Sequence, residues 1–263
     1  MGREINVRHN DLPKIREITP PPVIVTGMHN SGTSILAKII HKGGVFMDNS
    51  MDHFESRFFS RFINDQIIMG GGDKWAQLPI MDESEVMSYK DTAGKFLKEN
   101  WIIEYLQNGY DGRSKWGFKD PRVCVLINLY YEIFPDAKLV YIKRDSKDIA
   151  ASLCRKEKKG VGKKDKFEYW YKLSNKYKSR VEKNIRNFEH FDLKYENLCT
   201  STEEVVSRLF SFIGASLNKR VEKVISRVHD KRVNSYEKYR SSNRWIKRSI
   251  IEDLKDNIKN IYA

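Results

Sequence analysis

The sequence predicts an α/β fold, a single domain in which a central parallel sheet is flanked by helices. Three observations carry that expectation. Apolar runs of strand length, Val23-Ile24-Val25-Thr26 and Leu139-Val140-Tyr141-Ile142, are each followed closely by a helical pattern. The 263 residues are 40% apolar, enough for one core and within the range of one domain. No internal repeat or low-complexity tract divides the chain.

Taken in order, residues 1–22 read as a flexible N-terminal arm ending in the stiff Pro20-Pro21-Pro22, and residues 23–263 as the domain. The first strand breaks into a glycine-bounded loop and then a helix carrying Ile35, Leu36, Ile39 and Ile40. After Gly43-Gly44, a Met- and Phe-rich stretch up to Gly70-Gly71-Gly72 reads as helix with glycine punctuation, and Glu85 to Gln107 as one helix ending near Asn108-Gly109. Lys115 to Lys119 is a short strand, with Pro121 suited to the first turn of the helix that follows and Pro135-Asp136 ending it. The strand at 139–142 leads to Arg144 and a helix around Lys147-Asp148. Phe167 to Phe188 is a long polar helix and His190 to Tyr195 a strand. Ser201-Thr202-Glu203-Glu204 has the form of a capping box, opening a helix that stops near Gly214. From Ser216 onward the chain reads as charged helix with a loop around Asn234 to Asn243. Such alternation places ligands at the carboxyl ends of the strands.

The loop Gly27-Met28-His29-Asn30-Ser31-Gly32-Thr33-Ser34 has the form of a phosphate cradle, since its amides and hydroxyls sit at the positive end of a helix dipole. Its Gly-x-x-x-x-Gly spacing is that of a nucleotide P-loop, yet Thr33 stands where the phosphate-binding lysine would be. That substitution points to a nucleotide whose charge lies elsewhere than on terminal phosphates. A second constellation runs from Arg144 at a strand end to Ser152 on the next helix, and both side chains can converge on one phosphate. An ion pair between Arg144 and Asp148 is the alternative.

Composition narrows the field. A net charge of +13 attracts polyanions, and Arg155 to Lys166 sets seven basic residues against two acidic ones. That segment is either a solvated mobile loop or a rim that steers an anionic ligand. It has no interleaved aromatics, so nucleic acid is not expected as a partner. The six histidines show no metal-ligand spacing, and no metal is expected. Cys124, Cys154 and Cys199 are an odd, widely spaced set without a C-x-x-C pair, which fits reduced thiols. Neither a transmembrane run nor a secretory signal is present, so the expected location is the cytoplasm.

Together, the 27–34 loop, the Arg144 to Ser152 segment, Lys119-Asp120-Pro121-Arg122 and Tyr195-Glu196-Asn197-Leu198 resemble the family of sulfotransferases dependent on 3′-phosphoadenosine-5′-phosphosulfate, PAPS. Phe54-Glu55, Asn64-Asp65, Gly72, Trp75 and Pro79 are similar to the bacterial members, and the resemblance spans roughly residues 22–214. It implies a P-loop-like sulfotransferase fold and transfer of a sulfuryl group from PAPS to a hydroxyl or amine of a small molecule, glycan or lipid-linked acceptor, leaving 3′-phosphoadenosine-5′-phosphate, PAP. His29, Asn30, Ser31, Gly32, Thr33 and Ser34 would hold the 5′-phosphosulfate, and Arg144 and Ser152 the 3′-phosphate.

Among catalytic candidates, Glu55 is the implied base, the alternative being a pair with Arg57 or Arg61. His53 and Asp120 stand second, and Asp120 is equally suited to cap the next helix. Lys119 would reach the transferring group or pair with an acid. Asn30 departs from the Arg or Lys usual in the family's first loop, a loss on the order of 10² to 10³ in rate unless His29, Lys119 or a C-terminal basic residue replaces the charge. Two other readings remain open at this point: a P-loop kinase or nucleotide hydrolase, and a non-catalytic binder of nucleotides or other anions.

Overall fold

The structure, a computed structural model, describes residues 19–69, 80–156, 163–228, 234 and 236–238. The expected arm up to residue 18, the Gly70 to Pro79 signals, the centre of the basic segment and most of the C-terminal region lie outside the described residues.

Five parallel strands form one sheet in the order β2-β3-β1-β4-β5. They are β1 (Val23–Thr26), β2 (Phe46–Met47), β3 (Trp116–Lys119), β4 (Lys138–Lys143) and β5 (Glu189–Lys194). β1 and β3 are buried throughout and β4 through its middle, which is why each is a nearly unbroken apolar run rather than an alternating one. β5, at the edge, buries only Leu193 fully and carries Glu189, Asp192 and Lys194 outward, charges that discourage pairing with another chain.

Helices cover both faces. The described ones are α1 (Thr33–Lys42), α2 (Asp65–Met69), α3 (Glu83–Met87), α4 (Lys90–Gln107), α5 (Val123–Ile133), α6 (Ser146–Lys156), α7 (Lys163–Asn184), α8 (Tyr195–Thr200), α9 (Thr202–Ile213) and α10 (Lys219–Ile225). The period of two along β1 sorts the core: Val23 and Val25 pack with Leu36, Ile39 and Ile40 of α1 and with Leu209 and Phe210 of α9, while Ile24 points to the opposite layer. That layer is aromatic. Phe59 stacks on Phe118 with ring centroids 3.8 Å apart, and Trp101 stacks on Trp116 at 3.7 Å.

Some sequence expectations need correction. Strand β2 lies in the stretch read as helix, and two residues are too short to register as an alternating or apolar run. The stretch itself is an irregular loop, then a π-helical segment (Phe58–Asn64) running into α2. The helix read as Glu85 to Gln107 is two helices broken at Ser88-Tyr89, and Asp82 starts the first by accepting from the Glu85 amide at 2.8 Å. The capping box at Ser201 does not form: Ser201 caps nothing with its side chain, and the Thr202 hydroxyl donates back to the Leu198 carbonyl at 2.8 Å. Among the described residues, no helix is long and apolar enough to cross a membrane.

The chain crosses from one side of β1 to the other between β3 and β4, so the carboxyl ends of these three strands open a crevice. Gly117 makes the close pairing of β3 with β1 possible, since a Cβ there would fall on the Val23 carbonyl oxygen. Gly117→Ala is therefore expected to destabilise the protein by about 3 kcal/mol and to lower Tm by roughly 6–12 °C, read by thermal denaturation. A Tm within about 2 °C of the parent would contradict this packing.

Candidate functional site

The loop after β1 turns sharply enough to point its amides outward. Asn30 (φ 64°) and Gly32 (φ 106°) are left-handed, and the Ser31 amide closes the turn on the Met28 carbonyl at 3.0 Å. Asn tolerates this conformation better than most side chains, which gives residue 30 a local reason for its identity. Gly32 precedes the first residue of α1, and no side chain caps that helix. The first amides of a helix have no partner within it, so they and the helix dipole form an anion site where the helix meets an open space. That space is a cavity of about 730 Å³ bordered by His29, Asn30, Gly32, Thr33 and Ser34.

At the end of β4, Arg144 closes one side of the cavity. Its guanidinium donates to the Asn30 carbonyl at 2.7 Å, lies 3.7 Å from the Asp148 carboxylate, and sits 4.7 Å above the Tyr195 ring. Burial pulls the Arg144 pKa down, and Asp148 opposes that pull. The expected pairing with Asp148 is thus present without taking the arginine out of the cavity. Tyr195 also packs against the loop: a Cβ on Gly32 would come within 2.5 Å of its ring. One aromatic side chain therefore spaces the helix start from the arginine.

Across the cavity, Lys119 ends β3 with its side chain 1% exposed, and its Nζ donates to Glu55 Oε1 at 2.6 Å. Glu55 is held at the cavity by an unusual loop. The Met51 amide donates to the Glu55 carbonyl at 3.0 Å, and the turn between them uses left-handed His53 (φ 66°) and Phe54 (φ 60°). Neither alternative partner binds Glu55: Arg57 pairs with Glu104 at 3.0 Å, and Arg61 with Asp65 at 2.9 Å.

Beneath this floor lies a buried charge network. Arg122 donates through Nη2 to Asp120 at 2.7 Å and through Nη1 to Asp65, and the Ser60 hydroxyl donates to Asp120 at 2.8 Å. Burial pushes the Asp120 carboxyl up to about 6, Glu55 adds to the push, and hydrogen bonds from the Arg122 amide and Ser60 oppose it. Asp120 also accepts from the Arg122 amide at 2.8 Å, the turn-capping role weighed against catalysis. It does not border the cavity, and a base role for it falls away.

Of the residues singled out in the sequence, His29, Asn30, Gly32, Thr33, Ser34, His53, Glu55, Lys119 and Arg144 meet at this cavity. Ser31 does not border it: the side chain is fully buried beneath the loop, where its Oγ would meet a Cβ on Gly27 at 2.7 Å. Ser152, half-buried on the second turn of α6, is likewise outside the lining. Tyr195, directly after β5, also lines the cavity, a place that strand ends favour. Trp170, in an aromatic cluster suited to core or groove lining, and Leu153 complete the wall from α7 and α6. No cluster of His, Cys, Asp and Glu among the described residues could hold a metal ion.

Truncating Arg122 would leave Asp65 and Asp120 buried without their shared cation. Arg122→Leu is expected to cost about 3–5 kcal/mol in urea denaturation, and adding Asp65→Asn and Asp120→Asn to recover part of it. A single-variant loss below about 1 kcal/mol would show the network to be dispensable.

A search of curated proteins finds no significant match. Among solved structures, the sulfotransferase domain from the curacin biosynthetic pathway aligns at 14% identity over 83% of each chain, with a TM-score of 0.52. The sulfotransferase domain of the Synechococcus PCC 7002 olefin synthase aligns at 13% identity over 90% of this chain and 95% of that one, with a TM-score of 0.51. Sulfotransferase STF1 from Mycobacterium tuberculosis H37Rv aligns at 15% identity over 88% and 79%, with a TM-score of 0.47. The sequence profile of the sulfotransferase family matches residues 21–219, a stretch that holds the whole sheet and every residue of the cavity, and the chain belongs to that family.

Proposed function

We propose that this chain uses PAPS to sulfate a hydroxyl or amine of a small molecule, glycan or lipid-linked acceptor. One observation carries the reading: the open start of α1 and the Arg144 guanidinium face one cavity and are joined through the Asn30 carbonyl at 2.7 Å. A nucleotide with anionic groups at both its 5′ and 3′ ends needs two such sites at a fixed separation. The donor supplies an activated sulfuryl group and a good leaving group in PAP.

The chain's own residues do the rest. Gly32, Thr33 and Ser34 offer amides and hydroxyls to the 5′ end, and Arg144 offers a multi-donor fork to the 3′-phosphate. Glu55 takes the acceptor proton as the new bond to sulfur forms. Lys119 holds the Glu55 carboxylate in place through its hydrogen bond and offsets negative charge in the cavity as the group moves. Asn30 supplies an amide donor, and His29 borders the same end, where a cationic side chain would do more, so slow turnover is expected. Trp170, Leu153 and Pro121 give the acceptor an apolar wall. A kinase or hydrolase reading is not favoured, since it would set Thr33 in the place of the phosphate-binding lysine. The described cysteines are all free, in keeping with a cytoplasmic setting.

Calorimetry with PAP and 5′-AMP, both without magnesium, separates these ideas. Arg144→Ala is expected to weaken PAP binding at least tenfold and AMP binding less than threefold, and equal losses would remove Arg144 from the 3′-phosphate. Asn30→Arg tests the missing charge. It is expected to raise PAP release from PAPS by about 10- to 100-fold with a simple phenol as acceptor. No gain, with no measurable turnover in the parent, would favour a non-catalytic binder.

A further inference from the structure

The loop that presents Glu55 is built on a carboxylate that the chemistry above does not use. Asp48 follows β2 and is 1% exposed, and among the described residues no cation lies within ion-pair distance of it. A carboxylate in such a place is costly unless hydrogen bonds hold it. Here they come from Ser50. Asp48 Oδ1 accepts from the Ser50 amide at 3.0 Å and Oδ2 accepts from the Ser50 hydroxyl at 2.9 Å. Ser50 Oγ in turn accepts from the Arg57 amide at 2.8 Å. The stretch from Asp48 to Arg57 is thus closed at its base.

Inside that closure the backbone is strained. His53 and Phe54 both take left-handed conformations that cost of order 1 kcal/mol or more each in a side chain of their kind. The Phe54 amide is caught by Asn49 Oδ1 at 2.8 Å and the Met51 amide by the Glu55 carbonyl at 3.0 Å. Strained turns persist only where their surroundings over-determine them, and the buried anchor of this one is Asp48. Glu55 lies inside that closure, two residues before Arg57, whose amide meets the Ser50 hydroxyl. Its contact with Lys119, 64 residues away in sequence, therefore depends on where the clamp sets the loop.

We propose that Asp48 is the positioning residue for Glu55, clamping both feet of the 48–57 loop through Ser50, whose hydroxyl also takes the Arg57 amide, so that the Glu55 carboxylate is held on Lys119 and facing the acceptor. This rests on Glu55 being the proton acceptor, and the test separates the two ideas. Asp48→Asn retains an acceptor for the Ser50 amide but not for its hydroxyl. Ser50→Ala removes an exposed hydroxyl and leaves the core intact, so it reads the clamp even where Asp48→Asn fails to fold.

Hydrogen exchange followed by mass spectrometry is expected to show the amides of Met51, Phe54 and Arg57 exchanging at least tenfold faster in both variants. PAP affinity by calorimetry is expected to stay within twofold. PAP release from PAPS with a phenol acceptor is expected to fall about 10²-fold in Asp48→Asn, the scale of a misplacement near 1 Å, and Glu55→Gln to fall at least as far. Exchange as slow as in the parent would overturn the clamp, as would a loss of PAP affinity equal to the loss of turnover. Faster exchange with turnover unchanged in both Asp48→Asn and Glu55→Gln would leave the clamp standing and remove Glu55 as the base.

Discussion

The hydrogen bond from Arg144 to the Asn30 carbonyl fastens the end of β4 to the loop after β1, and the cavity owes its shape to that link. Without it, the two groups that give the site its anion-binding character would sit on independent loops. A hydrogen bond from a charged donor contributes on the order of 1.5–3 kcal/mol, and stacking on Tyr195 adds something like 0.5–2 kcal/mol. These are modest energies, but they act on a side chain that is almost wholly buried and has few other places to go. The sheet supplies the rest of the restraint: β1 and β4 pair in register from Val23 with Lys138 to Thr26 with Tyr141, so both loops leave the same edge together. Preorganisation of this kind reduces what a ligand must spend on ordering the site.

Charge in the cavity is almost fully balanced before any ligand arrives. Lys119 faces Glu55, Arg122 faces Asp65 and Asp120, and Arg144 has Asp148 at 3.7 Å. The pairing follows from burial, since a lone cation so deep would cost several kcal/mol. It also sorts the pairs by closeness. Arg122 is locked by close contacts on two carboxylates, whereas the Arg144–Asp148 pair is longer than a charge-assisted hydrogen bond. Uncompensated attraction therefore comes mainly from the start of α1, whose dipole needs no counter-charge of its own.

What the sequence revealed and what it hid divide along a physical line. Strands β1, β3 and β4 were legible because burial on both faces writes itself as a continuous apolar run, and the phosphate loop was legible because glycine is needed where the backbone turns left-handed at Gly32. Arg144 and Lys119 followed from the rule that strand ends carry the site. The hidden features depend on tertiary partners. Strand β2 exists because the Phe46 amide finds the Lys115 carbonyl at 2.7 Å, a bond that two residues cannot announce. Ser31 has the right residue type for a ligand contact, yet the tight turn sends its side chain inward. The break at Ser88-Tyr89 is invisible to helical periodicity, because buried apolar positions continue across it from Val86 to Ala93 and Leu97.

The Glu55 loop shows why a candidate catalytic side chain can be harder to read than the fold that carries it. Nothing in Phe54 favours left-handed backbone, and local propensity there would straighten the turn. Its conformation is bought by a buried carboxylate at Asp48, by Asn49 beneath the Phe54 amide and by the pair with Lys119 from β3. Each of these lies outside the residue whose position they decide. Local rules fail at a place where the chain accepts strain to hold a functional group still, and that failure is itself a pointer to the site. The same reasoning applies at Asn30, where a left-handed residue with a short amide replaces a longer cation. The geometry of the loop is kept, its carbonyl still anchors Arg144, and only the charge is lost. Under the proposed function, a scaffold that keeps its positional elements and gives up one electrostatic one is a weakened catalyst, because positioning and charge contribute separately to lowering the barrier.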